Sequence, residues 1–299
     1  MFFPVSGVET PIWVPPLVAF VVSFFTSMGG VSGAFLLLPF QMSVLGFTSP
    51  AVSATNLVYN IVAIPGGVAR FIREKRMVWP LTWVVVIGTF PGVIAGGFIR
   101  LHFLPDPAMF EIFAGSVLLY VGARLFLDVA GGLRKGPAVW TSAGGDMTTH
   151  AVEFNWRRVV MRFQGQDFVC PSPGLGGLAF VVGVIGGIYG IGGGAIVAPF
   201  LVAIFGLPVH MVAGATMMGT FITSVVGVAF YQLVAPVYQA GGLAVAPDWA
   251  LGALFGLGGL AGTTLGARTQ RFVPAIWIKA ILGLTVLTVA GRYLIINLF

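Results

Sequence analysis

The stretch GGIYGIGGGAIVAPF, residues 186–200, sets glycines close together inside a run that is otherwise apolar. A glycine-rich loop that follows a buried strand commonly binds the phosphates of a nucleotide. Glycines inside a membrane helix instead let the helix break or let it approach its neighbours closely. The rest of the chain decides between these two interpretations.

The composition is typical of a membrane protein. The chain has 299 residues, of which 58% are hydrophobic and only 8% are charged, and its mean hydropathy is +1.00. A soluble domain carries about 25% charged residues. Apolar runs of about twenty residues, each long enough to cross a hydrocarbon core of about 30 Å as a helix, recur at 52–69, 80–99, 108–127, 212–230, 249–267 and 275–298. The chain is therefore predicted to be an all-α polytopic membrane protein.

Charge and cysteine content narrow the class further. The net charge is +6, which basic residues held on the cytoplasmic side explain, so we predict a lipid bilayer and no nucleic acid as partner. The one cysteine, Cys170, cannot form an intramolecular disulfide. The N-terminal segment has neither a basic region nor a small-residue cleavage site, so no signal peptide is expected.

An internal repeat divides the chain. GGVSGAFLLLPF at 29–40 recurs as YGIGGGAIVAPF at 189–200, and SATNLVYNIVAIPGG at 53–67 aligns with GATMMGTFITSVVGV at 214–228. Glycines four residues apart at 88, 92 and 96 recur at 258, 262 and 266, a spacing that predicts close packing of helix backbones. We predict a first transmembrane repeat at 1–128, a linker at 129–174 and a second transmembrane repeat at 175–299.

Each repeat begins with an apolar run that is too long for one ordinary span. The second of these runs covers residues 175–206, and splitting it at the glycines leaves 176–188 and 193–206, each about 20 Å long as a helix. Segments 13–28 and 33–46 give the same result in the first repeat. The sequence therefore predicts two inverted repeats, each a broken or re-entrant helical hairpin followed by three transmembrane helices.

The distribution of Lys and Arg supports the hairpins. Four basic residues lie at 70–76, six at 124–162 and three at 268–279, and Arg100 and Arg292 are left over. With one hairpin in each repeat the three clusters lie on one side of the membrane, whereas single spans would place the last cluster outside. The positive-inside rule therefore predicts cytoplasmic loops at 70–79, 128–174 and 268–276, with both termini outside.

The linker permits two interpretations. Residues 151–172 alternate in polarity around Gly165, which is typical of a small β-hairpin, here expected on the cytoplasmic side. A solvated linker with a basic face is the alternative that the same residues permit.

The two breaks form the candidate binding site. Backbone at membrane depth is tolerated only where it is buried in protein or lines a cavity. The half-helix that starts near Gly193 presents unpaired N–H groups and the positive end of its dipole, and Gly33 has the same position in the first repeat. Inverted symmetry would bring both helix starts to the midplane, where they could bind an anion. A purely structural role for the breaks is the alternative.

Polar residues surround the breaks in otherwise apolar helices. Buried amides and hydroxyls can complete the shell of an oxyanion, or they can bond a neighbouring helix. Asn56 and Thr216 are the side chains that we expect at the anion. The predicted substrate-binding set is Gly30, Ser32, Gly33, Thr55, Asn56, Asn60, Tyr189, Gly190, Gly192, Gly193, Gly194, Thr216 and Thr220.

Nucleotide chemistry is not indicated. Gly190, Gly192 and Ala195 match a dinucleotide fingerprint in spacing only, because no strand of a βαβ unit precedes them and no acidic residue follows at the required distance. The chain also has no G-x-x-x-x-G-K-[ST] motif, so ATP-driven transport is not expected.

Enzyme chemistry is not indicated either. Glu111 and Lys279 stand at the starts of their spans, where interfacial anchoring is expected, and His102 and His210 lie in short loops. No carboxylate falls in mid-membrane to relay protons, and no His, Cys and Glu constellation suggests a catalytic or metal site. We predict a protein that is not an enzyme and that needs no cofactor or metal.

The paired glycine motifs, the ATNL (54–57) and ATMM (215–218) segments and the basic loop make the chain resemble the sulfite exporter TauE/SafE family, also called the 4-toluene sulfonate uptake permease family. The most specific mark is GIGGG at 190–194 followed by Pro199, and GGVSG in the first repeat departs from it. The resemblance implies a carrier of the bacterial inner membrane for sulfite, sulfoacetate or another organosulfonate, running in either direction. A carrier of another small anion, an intramembrane enzyme and a receptor or scaffold are the alternatives.

Overall fold

The computed structural model describes residues 1–29, 32–135, 150–155, 157–163, 166–269 and 275–298. Gly30, one of the predicted site residues, lies outside the described residues.

The chain is mostly helical, as predicted. The helices are α1 Val14–Gly29, α2 Ala34–Ser43, α3 Ala51–Ala63, α4 Pro65–Arg73, α5 Trp79–His102, α6 Pro107–Lys135, α7 Ser172–Tyr189, α8 Gly194–Phe205, α9 Val209–Gln239, α10 Trp249–Thr269 and α11 Ala275–Leu298. The strands are β1 Phe2–Phe3, β2 Val8–Glu9, β3 His150–Phe154, β4 Arg158–Phe163 and β5 Gln166–Pro171. Within the described ranges, seven segments are long and apolar enough to cross a membrane.

The predicted spans coincide with helices, but α6 and α9 extend past the predicted runs at 108–127 and 212–230, to Lys135 and Gln239, and two further differences are present. The 52–69 run divides into α3 and α4, because Pro65 has no N–H to continue the bonding of α3 and begins a new helix instead. In the second repeat α7 starts at Ser172, directly after β5, and has 18 residues. The expectation of a segment only about 20 Å long at 176–188 is therefore wrong for α7.

Both predicted helix breaks are present. In the first repeat α1 ends at Gly29 and α2 begins at Ala34, and in the second α7 ends at Tyr189 and α8 begins at Gly194. The ends fall at positions that the internal repeat aligns, and each short helix contains the aligned proline, Pro39 in α2 and Pro199 in α8.

The glycine ladders pack helix backbones together, which confirms the packing prediction. A Cβ on Gly92 of α5 would lie 2.9 Å from Val184 N of α7, and one on Gly262 of α10 would lie 3.0 Å from Phe20 Cα of α1. Real Cβ contacts are rarely this short, so only glycine lets these helices approach as they do. The two ladders thus join each repeat to the hairpin of the other.

These contacts also fix the helix directions. Two neighbouring helices are parallel when later residues of one contact later residues of the other. Four pairs are parallel: α5 with α7, α1 with α10, α3 with α10, and α5 with α9. The order is reversed in two antiparallel pairs, the Ala51–Arg73 span (α3 and α4) with α9, where Leu57 meets Gly227 and Gly67 meets Met217, and α6 with α11. In the last pair, for example, Gly115 faces Leu294 and Gly122 faces Leu287.

Taken along the chain, these pairs make every long helix of the first repeat run opposite to its counterpart in the second. The counterparts are α1 and α7, α3 and α9, α5 and α10, and α6 and α11. This pattern is what an inverted repeat requires. It supports that prediction, while the orientation of the chain in a bilayer stays a prediction.

A small sheet precedes α7. Strands β4 and β5 form an antiparallel pair in which Phe163 lies opposite Gln166, as the β-hairpin interpretation of the linker expects, and β3 adds a third strand along β4 that the sequence did not indicate. Val159, Met161 and Cys170 form its buried side. Burial raises the pKa of the Cys170 thiol above its ordinary value.

Candidate functional site

The second break turns the chain through left-handed glycines. Gly190 has φ 82° and Gly192 has φ 75°, conformations that L-amino acids with a side chain rarely adopt. The N–H groups of Gly190 and Ile191 both donate to Gly186 O, at 2.9 and 3.1 Å, and so close the last turn of α7. The reversal between α7 and α8 therefore depends on glycine for its backbone conformation.

Helix α3 supplies the hydrogen-bond donors for the carbonyls that α7 leaves open. Three side chains on α3 take part, and the bonds join Ser53 Oγ to Ile188 O at 3.2 Å, Asn56 Nδ2 to Gly190 O at 3.0 Å and Asn60 Nδ2 to Ile191 O at 3.0 Å. A buried carbonyl without a donor is costly, particularly in a membrane. These polar residues of the first repeat thus hold the break of the second.

Asn56 and Tyr189 join the two breaks. Besides its bond to Gly190 O, Asn56 Nδ2 donates to Ala34 O at the start of α2, at 3.1 Å. The Tyr189 hydroxyl at the end of α7 donates to Phe35 O in α2, at 2.9 Å. The start of α2 therefore meets the second break, through Gly190 and the last residue of α7, in a buried region where residues of both repeats meet.

The start of α8 lies directly against α9. Gly193 N donates to Thr223 Oγ1 at 3.1 Å. A Cβ on Gly192 would lie 2.9 Å from Ser224 Oγ, and one on Gly194 would lie 2.5 Å from Thr220 N. Any side chain at these two positions would therefore displace atoms of α9.

At the first break, hydroxyl side chains surround the start of α2. Ser32 Oγ accepts a bond from Ala34 N at 3.3 Å and so caps the start of α2. Gly33 has φ −59°, an ordinary helical value. A Cβ on Gly33 would lie 2.6 Å from the Tyr59 hydroxyl oxygen and 2.8 Å from Ser23 Oγ, two groups that bond each other at 2.8 Å.

Three predicted site residues bond elsewhere. The hydroxyl of Thr216 donates to Val212 O at 3.0 Å and that of Thr220 donates to Thr216 O at 2.9 Å, both within α9. Thr55 Oγ1 accepts a bond from Asp248 N, just before the start of α10, at 2.9 Å. Their hydroxyls therefore stabilise helix turns or a helix start in this structure.

The comparisons with known proteins agree with this architecture. The family model described as sulfite exporter TauE/SafE matches residues 16–293. The chain belongs to this family. A curated relative, the probable membrane transporter protein YunE of Bacillus subtilis strain 168, is 22% identical over 256 residues, which cover 82% of this chain and 84% of the relative. No solved structure matches.

Membership in the TauE/SafE family, with seven candidate spans in the described ranges, indicates a multi-pass membrane transporter. A family of transporters is consistent with the prediction that the protein is not an enzyme. The family match identifies no substrate-binding residues in this TauE/SafE protein.

Ser224 is a polar residue at the second break that the sequence analysis missed. Its hydroxyl is fully buried beside Gly192, and within the part of the chain that the structure describes it has no hydrogen-bond partner. A regular spacing could have identified it, because Thr216, Thr220 and Ser224 follow each other at four-residue intervals and so share one face of α9.

Arg100 was missed as well, because it lies outside the three basic clusters and no role was predicted for it. The structure buries it completely. The signal lies in the glycine ladder of α5, since Arg100 continues the four-residue spacing of Gly88, Gly92 and Gly96 and therefore shares their inward face.

The ionisable residue expected at an interface has a local partner. Glu111, one turn into α6, accepts a bond from Asn297 Nδ2 of α11 at 2.7 Å. The His102 ring, in the last turn of α5, lies within hydrogen-bond distance of the Tyr238 hydroxyl, at 3.2 Å from Nε2. Neither residue contacts a helix break through these bonds.

Proposed function

We propose that the protein is a secondary transporter of a small sulfur-containing anion, such as sulfite, sulfoacetate or another organosulfonate, in a bacterial-type inner membrane. One observation carries the proposal. Asn56 bonds both Ala34 O at the start of α2 and Gly190 O in the break that precedes α8, so the positive end of the α2 dipole meets the second break inside the protein. The family description, which names sulfite, supports the substrate class.

The start of α8 is the stronger half of the proposed anion site. The first N–H groups of a helix have no partner within that helix. Each break has one N–H group that a hydroxyl already accepts, Ala34 N at Ser32 and Gly193 N at Thr223. Among the residues that the structure describes, the second break also has a buried unpaired hydroxyl, that of Ser224 beside Gly192. We place the anion at residues 192–194, held by backbone N–H groups and by the Ser224 hydroxyl.

The side chains predicted at the anion have a different part in this proposal. Asn56 uses its amide hydrogens on Ala34 O and Gly190 O, and Thr216 uses its hydroxyl on Val212 O. These groups position the break, and each would have to leave a backbone carbonyl in order to bind the anion directly. An inverted repeat that moves around this region would give alternating access from the two sides of the membrane.

Flux measurements in proteoliposomes test the proposal. Purified protein is reconstituted, and uptake of radiolabelled sulfite, sulfoacetate and taurine is compared with uptake in empty liposomes. Ser224→Ala is expected to raise the substrate concentration that gives half-maximal uptake by several-fold, because it removes a hydrogen-bond donor worth about 1 kcal/mol or more. Thr285→Ala, which removes an exposed α11 hydroxyl bonded to Ile281 O, is the matched control.

The outcomes separate the class of transport from the position of the site. Absence of substrate-dependent flux for all three anions would contradict the proposed function. If the parent transports an anion and Ser224→Ala and Thr285→Ala reach half-maximal uptake at the same concentration, the protein is a transporter whose anion binds away from Gly192.

A further inference from the structure

We propose that Arg100 binds the transported oxyanion, and that its guanidinium supplies the positive charge of the pathway between the second break and the membrane surface at which α5 ends. The inference rests on the proposed function, because it concerns the same anion and the same break. The anion site proposed above uses only backbone N–H groups and the Ser224 hydroxyl, and Arg100 adds a charged side chain to them.

The guanidinium is held in place yet leaves one edge open. Nη1 donates to Leu104 O, and Cζ lies 3.8 Å from the centre of the Phe110 ring. Nε and Nη2 are buried and have no hydrogen-bond partner among the described residues. These two nitrogens form one edge of the guanidinium, the planar fork that binds two oxygens of a carboxylate, sulfonate or similar oxyanion.

A purely structural arginine is expected to be fully bonded. Buried polar groups in proteins nearly always have partners, and a buried charge without a partner is strongly unfavourable. Salt bridges of the described residues involve Arg70, Glu74 and Arg76, and none of them includes Arg100. The open edge therefore matches a site that a negatively charged ligand completes.

The position of Arg100 relates it to the second break. α5 and α7 run parallel, with Gly96 against Ile188 in the last turn of α7. Arg100 lies one turn further along the same face of α5, at the level where α7 has ended and the chain has turned back. The Phe110 ring under the guanidinium also neighbours the Tyr189 ring, with 6.5 Å between the ring centres.

A second unpaired group lies on the neighbouring helix α9. The Tyr231 hydroxyl is fully buried and has no hydrogen-bond partner within the described ranges, and the preceding residue, Phe230, packs against Gly97 of α5, three residues before Arg100. Tyr231 comes two turns after Ser224 on α9. A guanidinium edge and a phenol hydroxyl can both donate to one oxyanion, which gives the two unpaired groups a common partner.

The test compares anion binding with the stability of the empty protein. Arg100→Met keeps the volume that packs on Phe110 and removes the charge, whereas Arg100→Lys keeps the charge and removes the fork. Arg292→Gln, an exposed basic residue of α11, is the control. Sulfite and methanesulfonate are titrated into each detergent-purified protein, and the Kd, the Tm without anion and the proteoliposome flux are measured.

We expect Arg100→Met to bind both anions about tenfold more weakly or worse, because charge-assisted hydrogen bonds are lost. Its Tm without anion should equal or exceed that of the parent, since an unpaired buried charge has been removed. Arg100→Lys should fall between the two, and Arg292→Gln should match the parent.

Each other outcome overturns a defined statement. An unchanged Kd in Arg100→Met with flux in the parent overturns this inference alone, and an accompanying fall in Tm assigns Arg100 to stabilising the chain after α5, where it bonds Leu104 O. If the parent binds an anion but does not transport it, the proposed transport is wrong, and the Kd values of the parent and Arg100→Met still show whether Arg100 binds the anion. A parent that neither binds nor moves any probe overturns both.

Discussion

The second break turns through two left-handed glycines, Gly190 and Gly192, whereas Gly33 in the first break keeps an ordinary helical φ of −59°. The neighbours differ as well. A Cβ on Gly190 would lie 2.6 Å from Ser53 Cα, a backbone atom, whereas one on Gly33 would meet the hydroxyl groups of Tyr59 and Ser23. Backbone atoms cannot move aside as hydroxyl groups can, so Gly190 should tolerate substitution much less well than Gly33.

This difference shows that an internal repeat can preserve a shape while the chemistry of its two copies diverges. Both breaks start a short helix at the aligned position, but among the described residues only the second leaves a buried hydroxyl, Ser224, unpaired beside it. At the start of α2 the Ser32 hydroxyl accepts a bond from Ala34 N, and in our proposal the anion binds at the second break. The predictions below test this division of roles.

The largest expected effect concerns the inversion on which the comparison depends. Single cysteines at Arg73 and Arg268 should react only with thiol reagents added from the cytoplasmic side, because both positions belong to basic loops predicted inside. A cysteine at Asp106, in the loop between α5 and α6, should react only from outside. The measurement uses a membrane-impermeant maleimide on a Cys170→Ser background. Labelling of the cysteine at position 268 from outside alone would rule out the inverted arrangement.

Gly190→Ala should destabilise the protein by about 3 kcal/mol or more, because it combines a left-handed φ with a clash against the backbone of Ser53. Gly33→Ala should cost about 1 kcal/mol, since the hydroxyls of Tyr59 and Ser23 can shift. Unfolding midpoints of the purified variants in detergent measure the difference. Equal losses would mean that the two breaks do not differ in rigidity.

Asn56→Ala should affect both breaks together. It removes the donor from Ala34 O and from Gly190 O, two buried carbonyls, and should lower stability by about 2–3 kcal/mol. Asn297→Ala, which removes an amide bonded to Glu111 and Tyr293 at the end of α11, is the matched control and should cost less. A smaller loss for Asn56→Ala than for the control would contradict the bridging role.

Ser32→Ala should remove the cap of α2 and cost about 1 kcal/mol of stability. If the anion is held mainly at the second break, the Kd for sulfite should stay within a factor of about two, far from the several-fold change expected for Ser224→Ala. Titration of both variants with sulfite gives the comparison. A larger loss of affinity in Ser32→Ala would move the site to the first break.

The smallest effect is expected away from both breaks, at the ion pairs of Glu74 with Arg70 and Arg76. Hydrogen bonds from Arg70 and then from Arg76 lower the pKa of Glu74 below its ordinary 4.5. The pairs therefore stabilise the folded state above that ordinary value, and their contribution is lost as the pH falls through the lowered pKa. Because the pairs are exposed, Glu74→Gln should change stability at pH 7 by less than about 1 kcal/mol, and a larger change would show that the loop is structurally coupled to α4.

The class of the protein, its spans and the positions of both breaks could be predicted from the amino-acid sequence. These are local properties, since the length of an apolar run, the lack of a Cβ and the recurrence of GGVSG as GIGGG are all visible along the chain. The packing role of Gly92 and Gly262 was also predictable, because a four-residue spacing already defines one helix face. Helix boundaries were predicted less well where one element directly follows another, as at Pro65 between α3 and α4 and at the start of α7 after β5.

The partner of each polar group, in contrast, depends on the folded chain. The sequence predicts Asn56 as an anion ligand, yet its amide hydrogens bond carbonyls at both breaks, one of them 134 residues away in the chain. No role was predicted for Arg100, yet it is completely buried and its guanidinium lies over the Phe110 ring. A hydrogen bond or a buried charge depends on atoms that tertiary packing brings within about 3–4 Å, and no spacing along one helix contains that information.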